Sequence, residues 1–108
     1  MNRELDVQVA EALGWRKIEI TEKPGAPIWV WSDPVLGPRV SVELWNPSTD
    51  IAAAWSLVEQ HGGEFYLERA ESKHGDWMAM FDDELGDAEF APTAPEAICR
   101  AFLATKEW

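Results

Sequence analysis

Basic residues are scarce in this chain. It carries 9 Lys+Arg against 20 Asp+Glu in 108 residues, a formal net charge of −11. A non-specific grip on nucleic-acid phosphates needs cationic side chains that displace counterions, so direct DNA or RNA binding is not expected. The same shortage argues against a polybasic attachment to anionic membranes. A single cysteine cannot make an intramolecular disulfide, so the framework must rest on packing. No apolar run approaches the ~20 residues of a membrane span. The opening MNRELDVQVA lacks the long apolar centre of a secretory signal, and a cytoplasmic location is the resulting expectation. There is no Gly-x-Ser-x-Gly, no phosphate loop and no dinucleotide fingerprint. The only His and Cys residues are His61, His74 and Cys99, without the spacing a zinc site needs, so no cofactor is expected.

What the chain has in abundance is tryptophan: Trp15, Trp29, Trp31, Trp45, Trp55, Trp77 and Trp108. Each indole can bury on the order of 150–250 Å², enough to fill a small core without disulfides or a metal. The length is that of one domain, and no linker or repeat divides residues 1–108. Leu5, Val9, Ala12 and Leu13 form one stripe of a helix over residues 3–13, with Asn2 as its cap, Glu4 and Asp6 at the positive end of its dipole and Gly14 as its stop. Prolines and glycines then delimit short pieces, with strands expected at residues 16–20, 28–31 and 40–44. A second helix follows Asn46-Pro47-Ser48-Thr49-Asp50. Its stripe is Ile51, Ala54, Trp55 and Val58, with Ser48 or Thr49 capping the first turn and Gly62-Gly63 ending it. Residues 65–67, 77–81 and 88–91 read as further strands. Thr93-Ala94-Pro95-Glu96 is a capping box that opens a last helix packing through Ala97, Ile98, Ala101, Phe102 and Thr105.

Residues 28–31 and 77–81 are apolar at every position rather than alternating, as in strands covered on both faces. The expected fold is therefore α+β, a three-layer α-β-α sandwich with a mainly antiparallel sheet and about three helices. A two-layer arrangement with one Trp-bearing face exposed is the alternative. Three segments carry a resemblance: residues 47–55 (PSTDIAAAW), residues 77–81 (WMAMF) and residues 91–101 (APTAPEAICRA), joined by Leu13-Gly14-Trp15 after a short helix. Together they resemble the phage ABA sandwich domain family. That resemblance implies a layered α-β-α sheet, a source in phage or prophage genomes and hence the host-cell cytoplasm. It implies no catalytic residue.

Candidate chemistry is thin. Ser48, Asp50 and His61 suit the two ends of a helix better than a catalytic triad. Cys99 reads as a small buried apolar group. The run Asp82-Asp83-Glu84-Leu85-Gly86-Asp87-Ala88-Glu89 has no cation; it is a solvated turn, a weak site for Ca²⁺ or Mg²⁺, or a phosphate-like surface for a basic partner. Trp29, Trp31, Trp45 and Trp77 cannot all point inward from pleated strands, so some could line a groove. The candidate binding residues are thus Trp29, Trp31, Trp45, Asp82, Asp83 and Asp87. The leading expectation is a non-enzymatic accessory protein that binds a host or phage protein with a basic surface. Alternatives are a nucleotide-like ligand in a Trp-lined cleft and, last, a metal-dependent hydrolase built on Asp82, Asp83 or Asp87. A homo-oligomer would cover an exposed Trp face.

Overall fold

A helix begins where the orphan N–H groups of its first turn find an acceptor, and this chain supplies a different one for its second and third helices, Asp50 and Thr93. In the computed structural model, which describes residues 3–21, 25, 27–62, 64–73, 75–81 and 88–106, the order is α1 (Arg3–Ala12), β1 (Arg16–Ile20), β2 (Ile28–Asp33), β3 (Gly37–Ser41), α2 (Ile51–His61), β4 (Phe65–Ser72), β5 (Gly75–Phe81), β6 (Glu89–Ala91) and α3 (Ala94–Ala104). The expected roles of Asn2, Gly63, His74, Asp82 to Asp87 and Trp108 lie outside the described residues. The α+β class, the antiparallel pairing and the three helices are as the sequence predicts. The strands, however, divide into two three-stranded sheets, β1-β2-β3 and β4-β5-β6.

α3 organises the core. Thr93 accepts the Glu96 N–H at 3.4 Å, Pro95 occupies the first turn, and the Glu96 carboxylate reaches one turn on to Arg100 Nε at 3.1 Å. Ala97, Ile98, Ala101, Phe102 and Thr105 are buried as their spacing predicts, and so is Cys99. α3 packs on β5 and β6 and receives both α1 and α2 on its flanks. Register fixes which face of β4-β5-β6 it covers. Phe65 lies opposite Phe81, Leu67 opposite Ala79 and Trp77 opposite Ala91, and this row carries the fully buried residues. Phe81 sits at the centre, with its ring 4.9 Å from Phe65, 6.2 Å from Phe102 and 4.7 Å from the His61 imidazole. The other face presents Tyr66, Met78, Met80 and Phe90, of which Tyr66 is exposed and the rest are half-buried.

α2 departs from its predicted orientation. Ala54 and Leu57 are its buried residues, whereas Ile51 and Trp55 are close to half exposed. The helix is rotated by about one residue, because α3 docks on the side where Ala54 lets two backbones approach. Trp55 instead lies edge-on against Phe65. The cap also differs: Asp50, not Ser48 or Thr49, accepts the N–H groups of Ala52 (3.0 Å) and Ala53 (3.5 Å). The turn before the helix is closed by the N–H groups of Thr49 and Asp50 on the Asn46 carbonyl, which leaves Asp50 as the first residue able to reach the helix start.

Ser48 is fully committed elsewhere. Its N–H donates to Asp6 Oδ1 at 2.8 Å, in the interior. Asp6 therefore is not the surface carboxylate of a helix start; it is 1% exposed and ties α1 to the turn ahead of α2. One turn of chain away, the Asp6 carbonyl accepts Trp45 Nε1 at 3.0 Å. A buried carboxylate is tolerated only where a donor meets it. Its Oδ1 satisfies that rule, whereas Oδ2 has no partner among the described residues.

The first sheet is a meander with one irregularity. Lys17, Glu19, Trp29, Trp31 and Val40 share one face by register, and Ile18, Ile20, Ile28 and Val30 the other. A bulge between Trp31 and Ser32 lets Pro38, which has no N–H, sit on the edge strand β3. β3 ends at Ser41, earlier than its alternating pattern predicts. The Ser41 carbonyl accepts from both Leu44 and Trp45, bending residues 42–44 into a turn. That bend drives Trp45 inward and Leu44 outward. The two-sided apolar run at residues 28–31 is accordingly not shielded throughout: Ile28 is 58% and Trp29 47% exposed. The helices α1 and α2 both gather on α3, leaving this part of β2 uncovered.

Candidate functional site

The tryptophans separate by where their strand or turn aims them. Trp31 and Trp45 belong to the single continuous core that also contains Leu5, Val9, Ala54 and Phe102, so neither offers a ring to a partner. Lys17 Nζ stands 5.7 Å from the Trp31 ring centroid, a cation–π contact made by an exposed lysine. Trp15 and Trp45 rings pack at 4.7 Å with a 58° tilt. Trp29 is the candidate that faces outward. It lies two residues from Trp31 on the same face of β2, beyond the reach of the helices.

Two concave features flank this sheet. The first is a groove of about 860 Å³ lined by Pro27, Ile28, Trp29, Val42 and Leu44, with Lys17, Ser41 and Glu43 at its margins. The groove exists because the Val42 N–H still bonds to the Trp29 carbonyl at 3.0 Å while residues 42–44 turn away from the strand. Glu19 pairs opposite Trp29 on β1, so carboxylates at residues 19 and 43 border the exposed indole.

The second is a cleft of about 790 Å³ between the β2–β3 hairpin and α2. Trp15, Trp45 and Leu13 line it below, Ala52, Ala53, Ser56 and Glu59 on the helix side, and Asp33, Leu36 and Arg39 on the hairpin side. Asp33 makes the hairpin turn: its Oδ1 accepts the N–H groups of Val35 (2.8 Å) and Leu36 (3.0 Å). Those two bonds, led by Leu36, hold its carboxyl below the usual range, with Arg39 adding a smaller pull in the same direction. Leu44 borders both features.

Asp82, Asp83 and Asp87 lie outside the described residues, and the structure says nothing of their placement. The residues that could have formed a nucleophilic site are kept apart. Asp50 caps the first turn of α2, and His61 lies at its last turn against Phe81, roughly 15 Å along the helix axis. Burial pushes the Cys99 thiol up to about 12, with the charges of Asp6 and Glu96 adding to the effect and Arg100 opposing it. A thiol so protonated is no nucleophile at neutral pH. Among the described residues there is no group of three or more His, Cys, Asp or Glu side chains that could hold a metal ion, and no helix is long and apolar enough to cross a membrane. Sequence reasoning missed the cleft, because its walls come from separate segments spread over residues 13–60.

Comparison with known proteins returns a matching family and chains of similar fold. The model of the phage ABA sandwich domain matches residues 8–103. The chain is similar in fold to a phage protein from Bacillus cereus ATCC 14579 whose crystal structure is known at 2.0 Å. The TM-score is 0.62 with 22% identity, over 97% of this chain and 91% of that one. No curated protein matches.

Proposed function

The chain belongs to the phage ABA sandwich domain family, and we propose that it acts as a non-enzymatic accessory domain that binds a protein partner with a basic surface through its acidic, Trp-bearing groove. The observation that carries this reading is Trp29. A ring 47% exposed, flanked in one groove by Ile28 and Leu44 that are 58% and 72% exposed, forms a contiguous apolar patch of the kind that marks a binding surface. Tryptophan supplies more hot-spot energy than any other side chain, because it combines large area with few rotatable bonds. The electrostatics select the partner. Glu43 lines the groove and Glu19 pairs opposite Trp29, against the one cation Lys17, which also stands over Trp31, on a chain of net charge −11. A second copy of the chain would bring the same negative charge, whereas a basic surface would be steered in. Asp82, Asp83 and Asp87 belong to this proposal as further acidic contacts.

A photo-crosslinking residue placed at position 28, beside Trp29 in the groove, with a control at position 66 on the other sheet, tests the reading. The expected product is one basic host or phage protein captured from position 28 only. With that protein purified, Trp29→Ala should weaken binding by about 30-fold, corresponding to a hot spot of ~2 kcal/mol. Raising the salt from 0.05 to 0.5 M should weaken it further. Capture of a second copy of the chain, or an affinity indifferent to Trp29→Ala, would refute it.

A further inference from the structure

We propose that the cleft between the β2–β3 hairpin and α2 is a second binding site, and that its ligand is a small organic cation bearing a guanidinium or alkylammonium head on an apolar stem. The argument is independent of the partner groove and rests on the lining of the cleft. Its volume, about 790 Å³, is in the range that encloses small ligands. The floor is aromatic and fixed. Trp45 is anchored by its indole N–H on the Asp6 carbonyl, and Trp15 is packed against it at 4.7 Å. Trp15 is only half-buried, so it is the aromatic surface open to an occupant. The helix wall is built of Ala52, Ala53 and Ser56, small side chains that keep the space open. Ser56 bonds its hydroxyl back to the Ala53 carbonyl at 2.6 Å, turning it away from the bulk of the cleft.

Charge decides what fits. Three carboxylates, Asp33, Asp50 and Glu59, line the cleft against one cation, Arg39. Asp33 is kept ionised by its two backbone N–H donors and is the carboxylate whose charge Arg39 influences. Glu59 has no ion pair among the described residues. A nucleotide phosphate entering here would meet a net negative wall. A guanidinium or ammonium would meet carboxylates on its rim and an indole beneath it, the two partners such groups prefer. The cleft therefore discriminates against the phosphorylated ligands that a Trp-lined pocket would otherwise suggest.

Titration of the 108-residue chain followed through its indole N–H resonances tests this, with agmatine, the tripeptide Gly-Arg-Gly and AMP as probes. Agmatine is expected to shift the Trp15 resonance saturably, and AMP at equal concentration to leave it in place. Glu59→Gln should weaken agmatine at least threefold. Ser56→Arg, which places a cation in the cleft from an exposed helix position, should abolish binding without lowering the melting temperature. If agmatine binds more tightly than Gly-Arg-Gly, the ligand is a free metabolite-like cation; the reverse order assigns it to an arginine side chain carried on a polypeptide. AMP binding as well as agmatine, no Trp15 response to either cation, or full binding by Ser56→Arg would overturn the proposal.

Discussion

Replacing Asp6 by alanine should be among the most damaging single changes to this domain, although the sequence presents Asp6 as an ordinary helix-start acid. Asp6 is 1% exposed and its Oδ1 accepts the N–H of Ser48, itself 2% exposed, at 2.8 Å. Removing the carboxylate deletes a hydrogen bond to a charged group and strands a buried donor, each worth ~1–3 kcal/mol and not additive. Against that stands a gain. Oδ2 has no partner among the described residues, so part of the cost of burying the charge is relieved on truncation. The net expectation for Asp6→Ala is a loss of ~2–3 kcal/mol, a fall in melting temperature of roughly 8–20 °C for a domain of this size. Asp6→Asn keeps the acceptor for Ser48 and removes the charge, so it should stay within ~1 kcal/mol of the parent. The bond from Trp45 Nε1 goes to the Asp6 main-chain oxygen and should survive both changes as an internal control. Thermal and urea unfolding by circular dichroism, with amide exchange at Ser48, provide the readout. An Asp6→Ala chain within 0.5 kcal/mol of the parent (well below the ~1 kcal/mol floor for a stranded buried donor), or an Asp6→Asn chain as unstable as Asp6→Ala, would refute the reasoning.

Gly75→Ala should cost at least ~2 kcal/mol and loosen β6. Gly75 has φ +143°, and a Cβ there would run into the Ala91 main chain; loss of amide protection at Glu89 to Ala91 would register it. Cys99 should resist Ellman's reagent at pH 8 until the protein unfolds, because its thiol is buried and protonated. Since its folded pKa of about 12 stands above the ordinary value of 9.0, the associated stability is intact below pH 9 and is lost as pH rises toward 12; Cys99→Ala should flatten the stability profile in that window. Thr93→Ala should cost about 1 kcal/mol or somewhat less, given a cap bond of 3.4 Å, with chemical denaturation as the measure.

How much of this was legible beforehand varies with how local the governing interaction is. α3 was legible almost to the residue, since its cap, its proline and its buried stripe all lie within a dozen positions. α2 was legible as a helix but not in its rotation, because the face it buries is chosen by α3, some 40 residues on. The end of β3 was misplaced for a similar reason: Val40, Val42 and Leu44 alternate like a strand, yet the Ser41 carbonyl captures two later N–H groups and bends the chain. Of the candidate tryptophans, the composition showed only that some must face outward. The pleat places Trp29 and Trp31 on one face, and the position of the helices decides which of them is covered.

The sequence by itself determined the class, the capped helices, the antiparallel strands and the excess of negative charge, since these follow from residue spacing and composition. Only the tertiary structure decided that the strands form two sheets, that Asp6 meets Ser48 across 42 residues, and that the cleft over Trp15 and Trp45 collects more carboxylates than cations. Spacing along a chain encodes which face of an element is apolar; it does not encode which other element arrives to cover that face. That choice is made by packing, where burial of one surface leaves another, here Trp29 and its groove, in water.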